Sequence, residues 1–465
     1  MAQNLYSDLS EKRILIAGAG VTGIAAARAL SKRGSTVALA DEKVVEVEGF
    51  KVLSPQSVDF SQFDLFLVSP GWQEDHQLIT EARAANVSLI NEIDLAWSLK
   101  KPSQKWLGLT GTNGKTSTVE LTAHMVSAGG FSALACGNVG TTVIEAVEAA
   151  ENYEYLVLEL SSFQLHWLED AHFVSIAILN IAHDHIDWHG SFDAYAADKI
   201  SLLDKSNTAV LNADDGEIVM RTQHWLGRKV FFSLDTPGPG ELGIVEELLV
   251  DRAFVANPEE AAMISELTEV TPTAPHNVSN ALAAAGLART VGISHESIRK
   301  AIKSFTPGKH RIEQVLEKDS ITWVNDSKAT NPHAASASIM SALSVVWVAG
   351  GLAKGATMHE LVERVKARVR VAILIGQDRD LIARELQEQA PHIEIILVDA
   401  PTEYIRGGEN NSLMEKVVKQ AHEKAIAGDT VLLAPACASM DQFISYADRG
   451  DRFTRAVKKV IKNEK

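Results

Sequence analysis

Residues 106–116 read Trp-Leu-Gly-Leu-Thr-Gly-Thr-Asn-Gly-Lys-Thr, and this stretch predicts the fold of the middle of the chain. Leu107 and Leu109 are typical of the end of a buried strand, and a helix is predicted to open at Thr116. The glycines allow the backbone to curl so that its N–H groups converge on one anion, and the helix N-terminus adds positive charge. The stretch therefore predicts a phosphate-binding loop between a strand and a helix.

The side chains of this loop predict a nucleotide site. Lys115 is placed to reach the outer phosphates, and the Thr116 hydroxyl is placed to ligate the accompanying Mg²⁺. The spacing departs from the pattern G-x-x-x-x-G-K-[ST], because Leu109 stands where the first glycine is expected, so a glycine-rich turn without a ligand is the alternative. The candidate phosphate-binding residues are Gly111, Thr112, Asn113, Gly114, Lys115, Thr116 and Ser117.

The composition is that of a globular protein. The chain has 465 residues, which is typical of about three domains. Its 46% hydrophobic and 22% charged residues indicate an ordinary folded chain. The formal net charge of -16 argues against a nucleic-acid partner, because no basic surplus is present to neutralise phosphates along a duplex.

Two further features predict where the protein works. Cys136 and Cys437 are too few for a disulfide framework, which favours a reducing cytoplasm. Residues 1–8 lack the pattern of a signal peptide, and no apolar run reaches about 18 residues, the length needed to cross a bilayer. We therefore expect a soluble cytoplasmic protein with no membrane partner.

The N-terminal segment has the pattern of a Rossmann-like domain. An apolar strand at residues 13–17 runs directly into Gly-Ala-Gly-Val-Thr-Gly at residues 18–23, and a second strand ends at Asp41. In this fold the glycine turn holds a diphosphate and the acid bonds a ribose hydroxyl. The candidate substrate-binding residues, which include a Ser-Pro-Gly turn after a later strand, are Gly20, Thr22, Asp41, Ser69 and Gly71.

Three interpretations of the glycine turn stay open. An NAD-dependent dehydrogenase would bind its dinucleotide there, but such an enzyme has no use for the second phosphate loop at Gly111. A diphosphate-bearing substrate, such as a nucleotide sugar, fits the turn equally well. The third interpretation is that the glycines serve only the close packing of the helix on the sheet.

Polar residues also follow the strands predicted for the middle of the chain. Glu159 ends an apolar strand at the place where a P-loop fold positions a metal ligand, so it is a candidate for Mg²⁺; a buried ion pair is the alternative. Residues 183–189 contain three histidines and two aspartates, a mixture that suits Mg²⁺. Lys199 lies on the following helix, and chemistry alone makes it a surface lysine or a phosphate contact. Asn277 and Asn280 open an amphipathic helix and suit an adenine edge, although an N-cap also explains Asn277.

The last third of the chain alternates strands and helices, which predicts another α/β domain. Residues 305–311 read Phe-Thr-Pro-Gly-Lys-His-Arg and predict a hinge that delivers a basic pair. A strand at residues 321–325 is followed by Asp326-Ser-Lys328, and this turn suits a polar reactant better than a packing corner. We therefore expect the polar groups of this domain at its strand ends.

Taken together, these segments resemble the Mur ligase family, the ATP-dependent amide-forming enzymes of bacterial cell-wall precursor synthesis. The likeness covers nearly the full chain. The resemblance implies an α/β protein with a Rossmann-like UDP-substrate domain at 1–99, a P-loop ATP-binding domain with a parallel sheet at 100–307, and a Rossmann-like amino-acid-binding domain at 308–465. The motifs that carry it are residues 111–116, Glu159-Leu-Ser-Ser-Phe-Gln-Leu, Asp184-His-Ile-Asp, Tyr195-Ala-Ala-Asp-Lys199, His276-Asn-Val-Ser-Asn280, His310-Arg311 and Asp326-Ser-Lys-Ala-Thr-Asn.

The resemblance also implies roles for individual residues. Thr116 and Glu159 would ligate one Mg²⁺, while His185 and a carbamylated Lys199 would ligate a second. Asn138 and His185 would face the substrate carboxylate. The implied nucleotide contacts are Asn277, Asn280, His310 and Arg311; the implied amino-acid contacts are Thr330, Lys354, Ser439 and Tyr446; and the implied catalytic residues are Lys115, His185, Lys199, Asp326 and Lys328.

The glycine turn, the Ser-Pro-Gly turn and residues 438–443 (Ala-Ser-Met-Asp-Gln-Phe) point to one branch of the family. That branch implies UDP-N-acetylmuramoyl-L-alanine as the acid, D-glutamate as the amine, and ATP with two Mg²⁺ ions, in a monomer. The Asp-Asn-Pro-Arg signature of the branch that adds diaminopimelate or lysine is absent. We also expect the third domain to close about residues 306–308, which would keep water from the reaction.

Two classes of alternative remain. Another amino-acid-adding ligase of the family, or a folylpolyglutamate synthase, would share the ATP-binding motifs. A nucleotide-dependent switch or regulatory binding protein belongs to a different class, and it lacks support because the chain has no Asn-Lys-x-Asp guanine signature.

Overall fold

The computed structural model describes residues 8–43, 45–402 and 404–461. Three sheets with flanking helices follow one another along the chain, so the predicted α/β class is confirmed. The chain divides into two compact units. The first unit contains the first two sheets, and the second contains the third sheet with residues 182–192 and 274–276. The last division falls between Phe305 and Thr306, where the predicted hinge begins.

The first sheet has five parallel strands and forms the Rossmann-like domain. Its strands are β1 (Arg13–Ala17), β2 (Thr36–Ala40), β3 (Lys51–Leu53), β4 (Leu65–Val68) and β5 (Ser88–Asn91). Its helices are α1 (Val21–Ser31), α2 (Gln77–Ala84) and α3 (Glu92–Leu99), with short 3₁₀ turns at Pro55–Ser57 and Phe60–Gln62. The strand order is β3-β2-β1-β4-β5. Because β1 lies between β2 and β4, the turns that follow these three strands meet at one edge of the sheet.

The second sheet has nine strands and contains the phosphate loop. Its strands are β6 (Lys105–Thr110), β7 (Ala133–Gly137), β8 (Tyr155–Glu159), β9 (Ser175–Ile178), β10 (Thr208–Asn212), β11 (Arg228–Phe232), β12 (Glu241–Val245), β13 (Leu248–Asp251) and β14 (Ala262–Glu266). The order is β14-β13-β12-β11-β10-β9-β6-β8-β7. The sheet is parallel from β7 to β12, and β13 and β14 extend it with antiparallel pairing, an extension that the sequence did not predict.

Helices connect these strands and bury the apolar residues of the sheet. They are α4 (Lys115–Ala128), α5 (Val143–Glu148), α6 (Ser162–His166), α7 (Ile186–His189), α8 (Phe192–Ile200), α9 (Gly216–Thr222), α10 (Pro275–Thr290) and α11 (His295–Ser304), with 3₁₀ turns at Ser201–Lys205 and Leu267–Glu269. The expectation that α10 is amphipathic is wrong, because every residue from 281 to 288 is buried. Small alanine side chains allow this helix to pack on several sides at once.

The third sheet has six strands and lies in the second unit. Its strands are β15 (Glu313–Lys318), β16 (Ile321–Asn325), β17 (Val345–Gly350), β18 (Val369–Ile375), β19 (Glu394–Leu397) and β20 (Thr430–Leu433). The helices are α12 (Pro332–Met340), α13 (His359–Val365), α14 (Arg379–Gln389), α15 (Ser412–Lys424) and α16 (Tyr446–Val460). The order is β15-β16-β20-β17-β18-β19, and only the β15–β16 pair is antiparallel among the described strands of this sheet. The polar turns after β16, β20 and β17 therefore lie side by side.

Among the described helices, none combines the length and the apolar composition that a membrane span requires.

Candidate active site

The loop between β6 and α4 enters the helix through a glycine with a left-handed backbone. Gly114 caps α4 with φ +83°, a left-handed conformation that favours glycine. A Cβ atom at this position would lie 2.4 Å from Oδ1 of Asn280 on α10. The close approach of loop and helix therefore depends on this glycine, and it brings the predicted nucleotide contact Asn280 against the phosphate loop.

We expect Gly114→Ala to lower the affinity for ATP by about tenfold or more and to lower the melting temperature. The added methyl group clashes with Asn280, and the left-handed backbone itself disfavours a Cβ by roughly 1 kcal/mol. Gly130→Ala is the matched control, because Gly130 has φ +94° with nothing within 4 Å of a built Cβ. Titration of ATP and thermal unfolding would check both variants. Equal losses of ATP affinity in the two variants would contradict the assigned role of Gly114.

Lys115 is held on the loop that it is predicted to serve. Its Nζ donates hydrogen bonds to the carbonyl oxygens of Gly111 at 2.7 Å and Thr112 at 2.9 Å. The Thr116 side chain is buried in the first turn of α4. Both groups therefore lie at the start of the helix, where the phosphates of a nucleotide would bind.

Two residues that sequence reasoning did not select also support the loop. Asn180 accepts a hydrogen bond from the Thr112 backbone N–H at 2.9 Å through its carbonyl oxygen, and from the Asn113 backbone N–H at 2.7 Å through Oδ1. The hydroxyl of Tyr195 lies 2.8 Å from that of Thr112. Their positions in the sequence could have identified both residues, because Asn180 follows a core strand and Tyr195 shares a helix with Lys199.

Glu159 provides the clearest sign of a cation site. It ends β8 beside Leu109 of β6, and it is 1% exposed. Its Oε1 accepts a hydrogen bond from Asn138 Nδ2 at 3.0 Å, whereas Oε2 is buried with no hydrogen-bond partner among the described residues. The competing explanation, a buried ion pair, finds no basic partner for Glu159 in the described ranges. A buried carboxylate oxygen without a donor fits Mg²⁺, a hard cation that prefers oxygen ligands.

Lys199 is buried beside the phosphate loop, so the surface-lysine interpretation is wrong. It is 1% exposed, and its Nζ lies 3.0 Å from the Gly111 carbonyl oxygen and 3.5 Å from Thr110 Oγ1. The ammonium also lies 4.6 Å from the ring centroid of Tyr195. Within residues 8–43, 45–402 and 404–461, no group of three or more His, Cys, Asp or Glu side chains forms a metal site. A metal near Glu159 would therefore need the Thr116 hydroxyl, phosphate oxygens or water as further ligands.

The glycine turn after β1 leaves space for a ligand. The Ala19 backbone N–H donates to Oδ2 of Asp41 at 2.8 Å, so the acid is fixed at the turn. A Cβ on Gly23 would lie 2.0 Å from the Gly18 carbonyl oxygen, so packing explains Gly23. Packing does not explain Gly20, which has nothing within 4 Å of a built Cβ.

The Ser-Pro-Gly turn after β4 adds a polar atom to the same edge of the first sheet. A Cβ on Gly18 would lie 3.0 Å from Ser69 Oγ, so the two turns are in contact. That Oγ is buried with no hydrogen-bond partner in the described part of the chain, and Gly71 is exposed with open space around it. Thr22 lies half-buried in the first turn of α1. These features fit a bound diphosphate better than a turn that serves packing alone.

The loop with three histidines, residues 183–189, belongs to the second unit. His185 caps α7 with φ +53°, and its Nε2 lies 3.7 Å from Oδ2 of Asp184. Asn331 at the start of α12 donates to the same Asp184 oxygen at 3.3 Å. Of the four predicted metal ligands, Thr116, Glu159 and Lys199 lie in the first unit and His185 lies in the second.

Asp326 follows β16 and is 8% exposed. Burial raises the pKa of its carboxyl group to about 6. One of its oxygens accepts the Ile312 backbone N–H at 3.3 Å. Two residues later, the ammonium of Lys328 lies 4.2 Å from the ring centroid of Tyr446. The turn after β16 therefore holds a buried carboxyl group with a raised pKa and, two residues later, an ammonium group that lies over an aromatic ring.

Asp326→Asn should change how the stability of the protein depends on pH. Because the pKa of Asp326 is raised from 3.8 to about 6 on folding, the folded chain binds more protons than the unfolded chain in this window, and stability falls as pH rises through it. Relative to wild type, the variant should therefore gain stability between pH 4 and pH 6, by up to roughly 3 kcal/mol. Denaturant unfolding at several pH values would measure the difference. A difference that stays constant with pH would contradict the assignment.

His310 and Arg311, the basic pair after the predicted hinge, lie in different environments. His310 is 6% exposed with φ +65°, and its Nδ1 lies 2.9 Å from Nδ2 of Asn325. Its backbone N–H donates to Glu313 Oε2 at 2.9 Å. Arg311 is half-buried. In the first unit, the predicted nucleotide contact Asn277 donates through Nδ2 to the Pro272 carbonyl oxygen at 3.0 Å.

The turns predicted to bind the amino acid are adjacent. A backbone bridge between Leu352 and Ala438 joins the turn of Lys354 to that of Ser439, which is 3% exposed. Lys354 has φ +51°, and Thr330 is half-buried in the turn after β16. The predicted residues of this site that the structure brings to one sheet edge are Thr330, Lys354, Ser439 and Tyr446.

A buried arginine that the sequence analysis did not select joins these turns. Arg449 is 0% exposed and donates to Ser327 Oγ at 3.0 Å, to the Ser327 carbonyl oxygen at 3.1 Å and to the Cys437 carbonyl oxygen at 3.1 Å. Burial lowers the pKa of its guanidinium group to about 10. The side chain therefore links the turns after β16 and β20.

The chain contains three sheets flanked by helices, and its phosphate loop has a buried carboxylate beside it. These features define a P-loop nucleotide-dependent enzyme. The chain belongs to the Mur ligase family. The family model described as Mur ligase middle domain matches residues 109–288, and the one described as Mur ligase, glutamate ligase domain matches residues 310–437. The resemblance inferred from the sequence motifs is thereby confirmed.

Curated relatives match the chain over nearly its whole length. A protein from Streptomyces coelicolor named UDP-N-acetylmuramoylalanine--D-glutamate ligase is 42% identical, with 98% of this chain and 99% of the relative covered. A protein of the same name from Streptomyces avermitilis is 43% identical, with 96% and 98% covered. The solved UDP-N-acetylmuramate-alanine ligase of Thermotoga maritima shares the fold at a TM-score of 0.58 and 17% identity, with 96% and 99% covered.

Proposed function

We propose that this chain is an ATP-dependent ligase that joins D-glutamate to UDP-N-acetylmuramoyl-L-alanine in the synthesis of peptidoglycan precursors. The shared name of relatives that are 42% and 43% identical supports these substrates. Within the molecule, one observation carries the proposal: the buried Glu159 oxygen, for which the described part of the chain offers no hydrogen-bond donor, lies beside the phosphate loop.

The proposed reaction solves a chemical problem, because a carboxylate is a poor acyl donor. An oxygen of the muramoyl-alanine carboxylate attacks the γ-phosphorus of ATP, and ADP leaves. The amine nitrogen of D-glutamate then attacks the acyl carbon, an amide forms, and phosphate leaves with one oxygen of the original carboxylate. Lys115 would neutralise charge on the outer phosphates during the first step.

Mg²⁺ would be held by the Thr116 hydroxyl and by Glu159, and it would neutralise the charge that gathers when a carboxylate approaches a triphosphate. Asn138, which donates to Glu159, would orient that carboxylate. A second ion on His185 and a carbamylated Lys199 is part of the proposal. The buried Nζ of Lys199 lies 3.0 Å from the Gly111 carbonyl oxygen, which places it beside the phosphate loop.

We assign further roles to the three proposed domains and to their residues. We propose domains at 1–99, 100–307 and 308–465, in a cytoplasmic monomer with no membrane or nucleic-acid partner. Asp326 and Lys328 would lie near the phosphates and the incoming amine. The UDP moiety is assigned to Gly20, Thr22, Asp41, Ser69 and Gly71; the ATP nucleoside to Asn277, Asn280, His310 and Arg311; and D-glutamate to Thr330, Lys354, Ser439 and Tyr446.

A panel of amino acids tests the proposed substrate. Purified chain with ATP, Mg²⁺ and UDP-N-acetylmuramoyl-L-alanine should release ADP when D-glutamate is added, and about 10²-fold more slowly or not at all with L-glutamate, L-lysine, L-alanine or diaminopimelate. ADP release and product mass would be measured together. Release that depends on another amino acid would transfer the assignment to a different member of the family. NAD binding at the glycine turn would favour the dehydrogenase alternative.

A further inference from the structure

We propose that Tyr404 and Arg406 are positioning residues for the amino-acid site, an inference that rests on the proposed function. The acceptor segment (residues 439–446) carries the assigned D-glutamate contacts at its two ends. The supporting loop (residues 404–411) lies between β19 and α15 and holds the middle of that segment. Tyr404 and Arg406 thereby set the spacing between the two ends and, through it, the affinity for the amino acid.

The supporting loop holds two consecutive carbonyl groups of the acceptor segment. The Tyr404 hydroxyl donates to the Gln442 carbonyl oxygen at 2.8 Å, and Arg406 Nε donates to the Phe443 carbonyl oxygen at 3.2 Å. The rings of Tyr404 and Phe443 also meet edge to face, with centroids 6.3 Å apart. Tyr404 is half-buried whereas Arg406 is exposed, so we expect the tyrosine to contribute more.

The supporting loop is itself firmly anchored, so it can act as a fixed support. Arg452 of α16 is 3% exposed and donates to the carbonyl oxygens of Asn410 at 2.6 Å and Gly408 at 2.5 Å. The same guanidinium group donates to Asp448 at 2.8 Å. In return, Asn411 Nδ2 donates to the Arg452 carbonyl oxygen at 3.0 Å. The loop is therefore tied to the helix that follows the acceptor segment.

The acceptor segment contains two buried side-chain oxygens that lack a donor among the described residues. Oδ1 of Asp441 and Oε1 of Gln442 are buried with no hydrogen-bond partner in the described ranges. The second oxygen of Asp441 accepts the Gln377 backbone N–H at 2.8 Å, so this side chain is already oriented. Buried acceptors of this kind normally find a donor. An amine is such a donor, and the segment must be held in place to receive it.

Steady-state kinetics with Tyr404→Phe and with the double variant Tyr404→Phe/Arg406→Gln tests the proposal. Loss of the hydroxyl leaves the ring in place, so the chain should fold normally. We expect the KM for D-glutamate to rise about three- to tenfold in the single variant and further in the double variant. The KM values for ATP and for the nucleotide acid should stay within about twofold. Tyr153→Phe is the matched control, because the Tyr153 hydroxyl bonds Glu151 in the first unit.

An unchanged KM for D-glutamate in the double variant would overturn the proposal. A parallel rise in all three KM values, or a large fall in melting temperature, would also overturn it, since either marks a general structural role. A wild-type chain that releases no ADP with D-glutamate would contradict the proposed function itself. Wild-type activity is therefore measured before any variant is compared.

Discussion

Lys115→Ala should lower the rate of ADP formation by a factor on the order of 10³ while leaving the fold intact. The Lys115 ammonium bonds two carbonyl oxygens of the phosphate loop, so its removal deletes no core contact. The transferring phosphoryl group would lose the ammonium group of the phosphate-loop lysine, while Lys199, whose Nζ lies 3.0 Å from the same Gly111 carbonyl oxygen, would remain. Steady-state ADP release and circular dichroism would measure activity and folding on the same sample.

Lys105→Ala is the matched control for this substitution. Lys105 begins β6, the strand that leads into the phosphate loop; it is exposed, and its Nζ lies 5.5 Å from the Tyr155 ring centroid. Its removal should leave turnover within about twofold, as expected for a surface lysine. Equal activity of the two variants would remove the phosphate loop from the mechanism.

Glu159→Gln should reduce kcat by roughly 10²-fold or more and raise the Mg²⁺ concentration needed for half-maximal activity. The amide keeps the size of the side chain, and its carbonyl oxygen can still accept from Asn138. The substitution removes the negative charge of the Glu159 carboxylate, whose second oxygen has no donor among the described residues. Titration of Mg²⁺ at saturating ATP would measure the shift.

Glu154→Gln provides the comparison for Glu159. Glu154 is exposed, and its carboxylate accepts the Ser132 backbone N–H at 3.1 Å, a bond that glutamine can also accept. We expect its Mg²⁺ dependence to match that of wild type. A Glu159→Gln enzyme with the same Mg²⁺ dependence would show that the orphan oxygen serves another purpose.

The sequence predicted the strands that carry the site because each is a short apolar run with a clear end. The strands at Arg13–Ala17 and Ile321–Asn325 have the predicted bounds, since a glycine follows the first strand and an aspartate follows the second. The antiparallel strands β12 to β14 were missed. Their residues are less uniformly apolar, and no functional motif marks them.

The sequence predicted correctly that Glu159 ends a parallel strand and that Lys115 lies in the turn after another, and such strand ends share one edge of a sheet. Their roles in a site stay predictions. Contacts between distant positions were not accessible, because periodicity describes only local neighbours. Asn180 supports Asn113 across 67 residues, and Arg449 joins Ser327 across 122 residues. The burial of Lys199 was equally hidden, since a lysine on a polar helix turn is typical of a surface.

The roles of individual site residues stay predictions, as do the domain boundaries. The assigned roles depend above all on one step: ATP activates the muramoyl-alanine carboxylate before the amine attacks. Oxygen tracing tests this claim most directly. The acid would be labelled with ¹⁸O in its terminal carboxylate and incubated with ATP, Mg²⁺, D-glutamate and the purified chain. We predict that the released phosphate carries one ¹⁸O atom for each amide formed; amide formation with unlabelled phosphate would contradict the account.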